Sequence, residues 1–260
     1  LHYQIGDIKR IPYINALENL TLDTELIITL TKLDWDIFER SWDFKQNPFF
    51  ISLSKNLLDS YKSIRNKWRN MVTDVRDLEV ANNDIFIKVY GLEKEFTPEV
   101  SLKEITLTCN PYYRYGGEAT EEQLEQRLQS DTIAELISYA IGCMMGRYSL
   151  DRESLVYAHE GNIGFDELVA EGAYKKFPAD DDGILPLLDE ERFPDDVYSR
   201  FEQFIETAWD KETLQQNLDF IAESLRLYNI KPKNGESSTE TIRRYLSNHF
   251  YKDQHLKTYK

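Results

Sequence analysis

Residues 108–115, TCNPYYRY, are the stretch of this chain most similar to a catalytic motif. Enzymes that methylate the exocyclic amine of adenine use Asn-Pro-Pro-Tyr. The Asn side chain and a Pro carbonyl accept hydrogen bonds from the amine, and the aromatic ring stacks on the flipped base. In this sequence Tyr112 replaces the second Pro, whose fixed dihedral angle keeps such a loop rigid. We therefore interpret residues 110–113 as a turn and expect no active methylation site there.

The sequence also lacks the residue patterns that other kinds of catalysis require. A pocket for S-adenosylmethionine normally needs a Gly-rich turn after the first strand of a Rossmann-like sheet. Only Gly6 and Gly91 precede Asn110, and neither lies in such a turn. No phosphate-binding Gly loop is present, and the histidines have no nucleophile motif beside them: His2, His159, His249 and His255. We expect no catalytic, cofactor-binding or metal-ligating residue in this chain.

Asp180-Asp181-Asp182-Gly183 has the composition of a calcium loop but not its spacing. An EF-hand needs alternating ligands and a Glu at the twelfth position, whereas these acids are consecutive. We interpret them as a solvated acidic turn. Cys109 and Cys143 have no partners at metal-ligand spacing, which favours reduced thiols in a cytoplasmic protein.

The composition is that of a soluble globular protein, with 41% hydrophobic and 30% charged residues among 260. No run of 18 apolar residues is present, so we expect no membrane contact. The net charge of -15 at first opposes nucleic-acid binding, because phosphates attract Lys and Arg. The excess acid, however, lies between residues 79 and 199, and both ends of the chain are close to neutral.

A long apolar seam predicts one long helix. Its residues recur with alternating spacings of four and three: Leu57, Tyr61, Ile64, Trp68, Met71, Val75 and Leu78. Such heptads must pack against another helix, so Trp68 is predicted to be buried. Asn47-Pro48 reads as a helix start upstream of this seam, with Pro at the first helical position.

Four basic residues of this helix are the candidate nucleic-acid-binding residues: Lys62, Arg65, Arg69 and Arg76. At 100° per residue they fall within a sector of about 60°, centred roughly 120° from the apolar seam. A helix with one face on the core and a neighbouring basic face can lie along a phosphate backbone. The alternative is that these side chains pair with the acidic middle of the same chain.

The fold is predicted to be mainly α, with long antiparallel or coiled-coil-like helix packing and at most a small β element. Residues 1–98 form a lead-in segment, with a weak strand pattern at 4–14, and a long spacer-like helical region. Residues 99–260 form a second helical region with an acidic, loop-rich middle at 159–196, unless both form one continuous domain. Within it, Ala134, Ser138, Gly142 and Gly146 make a stripe of small residues, which favours close approach of another element.

Several longer phrases resemble the PglX family in order from end to end: LTKLDWDIFERSWDF (30–44), VYGLEKEFTPEV (89–100), LISYAIGCMMGRYSLD (136–151), ILPLLDEERFPDDV (184–197) and FYKDQHLKTYK (250–260). These are the adenine-specific DNA methyltransferases of BREX phage-defence systems. In that family the catalytic domain, with its S-adenosylmethionine pocket and Asn-Pro-Pro-Tyr, lies N-terminal to these phrases. The resemblance implies that this chain is a region downstream of the catalytic domain.

Two functions are consistent with these patterns. The first is a non-catalytic helical region that supports DNA engagement or spaces the target-recognition part of an N6-adenine methyltransferase. Its implied partners are double-stranded DNA, the parent's own N-terminal methyltransferase domain and other defence-system proteins, and S-adenosylmethionine is implied for the parent alone. The alternative is an acidic helical scaffold that docks other defence components without contacting DNA.

Overall fold

The computed structural model describes residues 23–157, 161, 163–188 and 193–255. The predicted mainly α fold is confirmed, and the described ranges contain no β-strand. The weak strand pattern at 4–14 lies outside them. The α-helices are α1 (Thr24–Asp36), α2 (Pro48–Ile51), α3 (Leu57–Tyr90), α4 (Pro111–Tyr115), α5 (Glu121–Met144), α6 (Phe165–Ala170), α7 (Val197–Trp209), α8 (Leu214–Leu227) and α9 (Ser238–Asn248), with a 3-10 turn at Lys211–Thr213 and a π-helical turn at Tyr251–His255.

Side-chain caps set the predicted helix starts. The Asn47 side chain accepts a hydrogen bond from the Phe49 amide at 3.2 Å, with Pro48 at the first position of α2. Ser237 and Glu240 form a capping box at the start of α9. Such caps satisfy backbone donors that have no partner inside the helix.

Between Leu57 and Val75 the predicted seam of α3 is buried, Trp68 included, except at Met71, which is half-buried while its neighbour Val72 is buried. The helix is shared among several partners, since it packs on α8, α1 and α2 instead of pairing with one antiparallel helix. From Leu78 onward the seam residues are only half-buried, and α3 continues to Gly91, whose positive φ ends it. The buried seam is therefore limited to the first half of the helix.

Helix α5 is the centre of the molecule. It packs against α8, α7 and α4, and its residues 132–134 and 136–140 are buried on every side. A helix that is apolar all round belongs in a core. The main hydrophobic cluster around it also includes Trp68, Phe204 and Tyr245, from α3, α7 and α9.

Two hydrogen bonds connect the base of α3 to the α7–α8 side of the core. The Asn217 side chain accepts a hydrogen bond from the Leu57 amide at 2.8 Å. The Trp209 indole donates to the Ser60 hydroxyl at 3.1 Å. Because these groups are buried, the bonds fix the position of α3 while satisfying polar atoms that water cannot reach.

The segment between α3 and α4 has no strand partner. The buried Asp34 carboxylate of α1 instead accepts hydrogen bonds from the amides of Thr108 and Cys109, at 2.5 and 2.8 Å. This carboxylate satisfies backbone donors that a sheet would otherwise pair. Residues 100–109 therefore form a loop that these hydrogen bonds fix, and not the small β element that the sequence allowed.

The stripe of small residues behaves differently at its two glycines. A side chain on Gly142 would place its Cβ 2.5 Å from Cδ2 of Tyr148, so the predicted close approach exists, with a ring that follows the helix. Gly146 lies beyond the end of α5 with a φ of +74°. Its positive φ serves the turn after the helix. A Cβ on Gly146 would lie 3.1 Å from Cε2 of Phe165 and 3.4 Å from Cβ of Ala179, so the predicted close approach of another element also exists here.

In the acidic turn at residues 180–183, the carboxylates accept hydrogen bonds from backbone amides of the turn and of the next residue. One Asp180 oxygen accepts hydrogen bonds from the Gly183 and Ile184 amides at 2.8 and 3.2 Å. Asp182 accepts a further bond from the Ile184 amide at 2.8 Å. These contacts are those of an Asx-type turn, in agreement with the predicted interpretation.

Replacing Trp68 with Ala should lower the free energy of unfolding by roughly 3–5 kcal/mol, because a large buried aromatic leaves a cavity in a seam that cannot close. Urea unfolding followed by far-ultraviolet circular dichroism measures the change. Asn66→Ala, at an exposed position of the same helix, is the matched control and should change stability little. Equal midpoints for both variants would contradict the burial of the seam.

Gly142→Ala should destabilise the protein by about 1–3 kcal/mol, because the new methyl group displaces the enclosed Tyr148 ring. Thermal unfolding of the single variant and of Gly142→Ala combined with Tyr148→Leu tests the cause. The smaller side chain should recover part of the loss. A single variant more stable than the parent would show that helix propensity outweighs this contact.

Candidate nucleic-acid interface

Both the nitrogen and the oxygen of the Asn110 side-chain amide form hydrogen bonds within the protein. Its amide nitrogen donates to the carbonyls of Leu102 and Ile105, at 2.7 and 2.9 Å, and its oxygen accepts from the Tyr112 amide at 3.2 Å. Asn110 is buried and caps α4. The structure thus shows the predicted turn, since this amide cannot also bind a substrate amine.

The residues described here do not fit S-adenosylmethionine. Gly91 ends a helix, and Gly116 and Gly117 follow the short α4. None of these glycines lies between a strand and a helix, which is where such a cofactor's binding turn is built.

Both cysteines are free and buried. Burial raises the pKa of the Cys109 thiol, and the neighbouring Asp34 charge raises it further. Burial likewise raises the pKa of Cys143. Because only the thiolate is a nucleophile, both behave as small core side chains.

The candidate basic residues line a groove of about 460 Å³ between α3 and α5. Lys62, Arg65 and Arg69 lie on the α3 side, and Glu122 and Glu125 lie on the α5 side. The helices meet here through long side chains, while their backbones make their closest contacts with other helices. The structure thus brings three of the four candidates together.

Arg65 forms the floor of this groove. Its Nε and Nη2 atoms donate to the two Glu125 carboxylate oxygens at 2.8 and 2.7 Å, and its side chain is only 8% exposed. This bidentate geometry is the strong form of an arginine–carboxylate pair. For Arg65 the structure therefore shows the alternative interpretation, an ion pair with the acidic middle of the chain.

Arg69 and Lys62 remain on the rim. Arg69 lies 3.3 Å from the same Glu125 carboxylate, but its side chain is 54% exposed. Lys62 is exposed and has no ion pair among the residues that the structure describes. Both positive groups are accessible from solvent, so an incoming anion can reach them without disturbing Arg65.

Arg76 lies beyond the groove, further along α3. It pairs with its neighbour Asp77 at 2.8 Å, and both side chains are solvent-accessible. An exposed pair of this kind contributes about 0–1 kcal/mol. Arg76 can therefore exchange this partner for another anion at little cost.

The electrostatics of the groove centre on Glu125. Burial alone would raise the pKa of this carboxyl, but the hydrogen bonds and charges of Arg65 and Arg69 outweigh burial and hold its pKa below the usual range. Burial and the Glu125 charge together raise the pKa of the adjacent Tyr61. Glu125 is thus ionised at neutral pH and holds two arginines in place.

Glu125 is the residue of this site that the sequence analysis missed. The acidic stretch at the start of α5 follows Thr120, which forms a capping box with Gln123. Nothing in the spacing identified which carboxylate of that stretch faces α3. The available signal was the local excess of acid close to a helix with a basic face.

The described helices contain no segment long and apolar enough to cross a membrane. No family model matches the chain. Comparison with curated proteins shows similarity to adenine-specific methyltransferases over the whole chain. It is 52% identical over 262 residues to the adenine-specific methyltransferase BrxX of Escherichia coli O9:H4 (strain HS). It is 32% identical over 267 residues to the adenine-specific methyltransferase PglX of Lacticaseibacillus casei (strain Zhang).

The predicted resemblance to the PglX family is thus confirmed along the full length of the chain. The chain spans about a fifth of the length of these relatives, 21% of the first and 20% of the second. The similarity therefore concerns one region of such a methyltransferase.

Glu125→Gln should lower the free energy of unfolding at neutral pH by roughly 1.5–3 kcal/mol, since the buried Arg65 loses a charged partner. A carboxylate whose pKa is depressed by folding stabilises the protein above its unfolded pKa, and this contribution disappears as the pH falls. The parent should therefore lose more stability than Glu125→Gln on acidification. Glu122→Gln, on the same wall, is the matched control, and parallel pH profiles for all three proteins would contradict the role of the pair.

Proposed function

We propose that this chain is a non-catalytic helical region of a cytoplasmic, adenine-specific N6 DNA methyltransferase of a BREX phage-defence system. In this proposal it engages the sugar–phosphate backbone of double-stranded DNA through the groove side of α3. Similarity to BrxX and PglX over the whole chain supports the parent activity. The internal use of the Asn110 amide supports a role without catalysis.

One observation supports this proposal most directly: the accessible positive side chains of Lys62 and Arg69 lie beside the fixed ion pair of Arg65 and Glu125. Lys62 is free of carboxylates among the described residues, and Arg69 is more than half exposed. Arg65 stays with Glu125 and braces α3 against α5, so the rim residues keep a defined position. Phosphate contacts of this kind position a duplex and carry no sequence information.

The acidity of the rest of the chain limits the contact area. Excess acid between residues 79 and 199 repels DNA from most of the surface, whereas the two rim residues and Arg76 follow one side of α3. Binding through few phosphates is weak alone, and its salt dependence is shallow, because each phosphate contact contributes only about one unit of slope. The region therefore assists a target-recognition part elsewhere in the parent protein and does not replace it.

A second candidate function is a protein-docking scaffold. Trp42 is fully exposed, and Leu33 and Trp35 of α1 are about half exposed. Exposed apolar groups of this size are typical of surfaces that contact another protein. The partner in this reading is the parent's own N-terminal methyltransferase domain or another defence component.

Lys62→Glu combined with Arg69→Glu should weaken the binding of a labelled DNA duplex to the full chain. Fluorescence anisotropy over a series of salt concentrations should also give a slope that is about one unit flatter per lost phosphate contact. The loss should be equal for unrelated duplex sequences, because these contacts read no bases. Lys67→Glu is the matched control, an exposed lysine on another side of the same helix.

Unchanged affinity and slope in the double variant, with circular dichroism showing an intact fold, would assign α3 to the scaffold function. An equal loss in Lys67→Glu would instead indicate a general charge effect. Trp42→Ala distinguishes the two functions, because it should leave DNA affinity unchanged while weakening any contact with the methyltransferase domain.

A further inference from the structure

Arg127 of α5 lies between two tyrosine rings. Its guanidinium carbon is 4.2 Å from the centre of the Tyr115 ring and 4.5 Å from the centre of the Tyr228 ring. Tyr115 is the last residue of α4, and Tyr228 directly follows α8. We refer to these three residues as the Arg127 clamp. At 100° per residue it lies on the opposite side of α5 from Glu125 and the groove.

The guanidinium of the clamp is not neutralised. Arg127 has no hydrogen bond or ion pair with any residue that the structure describes, although the chain contains 46 Asp and Glu residues. Its Nε atom is buried and has no hydrogen-bond partner there. By contrast, Arg114, which also stacks on Tyr115, is held by Glu135 at 2.7 Å.

The rings of the clamp are held in place by neighbouring bonds. The Tyr115 hydroxyl donates to Asp131 at 2.8 Å, and Asp131 lies 4.0 Å from Arg114. Asn229, beside Tyr228, donates from its backbone and its side chain to Ser130 of α5, at 3.2 and 3.1 Å. The Asp131 carboxylate is thus bonded to Tyr115, and these hydrogen bonds hold both sides of the clamp in place.

A stacked, unpaired guanidinium is suited to phosphate. The planar group presents several donors in fixed geometry, and the tyrosine rings prevent it from turning away. Tyr228 itself is 53% exposed, so part of its ring remains accessible beside the Arg127 cation. An aromatic face next to a phosphate-binding cation accepts an unpaired base by stacking.

We propose that the Arg127 clamp is a second nucleic-acid contact, in which Arg127 binds a backbone phosphate and Tyr228 stacks on an adjacent unpaired base. This proposal extends the proposed function, because it presumes that the chain meets DNA. It differs from the groove contact in its ligand, since the groove binds duplex phosphates and the clamp binds a single-stranded stretch. An acidic peptide would satisfy the cation but would not use the exposed ring.

The test compares the binding of labelled single-stranded DNA and of the same sequence as a duplex to the full chain at low salt. Arg127→Gln and Tyr228→Ala should each weaken binding of the single strand about fivefold or more, with a smaller effect on the duplex. Arg127→Lys should weaken it as well, because charge without stacking is insufficient. Tyr228→Phe should bind like the parent, since the ring remains.

Arg152→Gln is the matched control, because it removes one partly exposed arginine elsewhere and should leave affinity nearly unchanged. The clamp is overturned if Arg127→Gln and Tyr228→Ala bind single strands like the parent. It is also overturned if single-strand binding depends on Arg127 but not on Tyr228, because an acidic ligand that uses the cation alone would behave in this way. If the groove variants lose duplex binding in the same experiment, only the clamp fails. A chain that binds neither form of DNA contradicts the proposed function as well.

Discussion

The burial of α5 on nearly all sides is the constraint on which the rest of this structure depends. This helix packs against α7 and α8, and its residues 132–134 and 136–140 are buried, so its charged side chains are confined to its first turns and to its rim. Glu125 and Arg127 both lie in that accessible part, on opposite sides of the helix. One buried helix thus positions both the ion pair of the groove and the stacked guanidinium of the clamp.

Side chains, and not a sheet, organise the backbone between the long helices. Asp34 accepts two amides of the segment before α4, and Asn110 both caps that helix and donates to two carbonyls behind it. These buried polar groups can be tolerated because each has its partners. The same contacts explain how TCNPYYRY resembles a catalytic loop in sequence while it serves as a structural turn.

Local patterns predicted the helices and their caps well. The seam from Leu57 to Val75 and the capping box of α9 depend on residues within a few turns of each other, so spacing suffices to find them. The fate of Arg65 was not predictable, because its partner is 60 residues away and only the packing of α5 brings it near. The positive φ of Gly146 was not predictable for a related reason, since the end of α5 is set by the turn that follows it.

The far half of α3 has a mechanical consequence. The helix is anchored by buried residues up to Val75 and extends, half-buried, to Tyr90. At 1.5 Å per residue this overhang is about 20 Å long, so a tilt of about 5° at its anchored end moves its tip by about 2 Å. A small change in the angle of α3 at its anchored end is therefore amplified at its tip. The position of any group that contacts the tip depends on that angle.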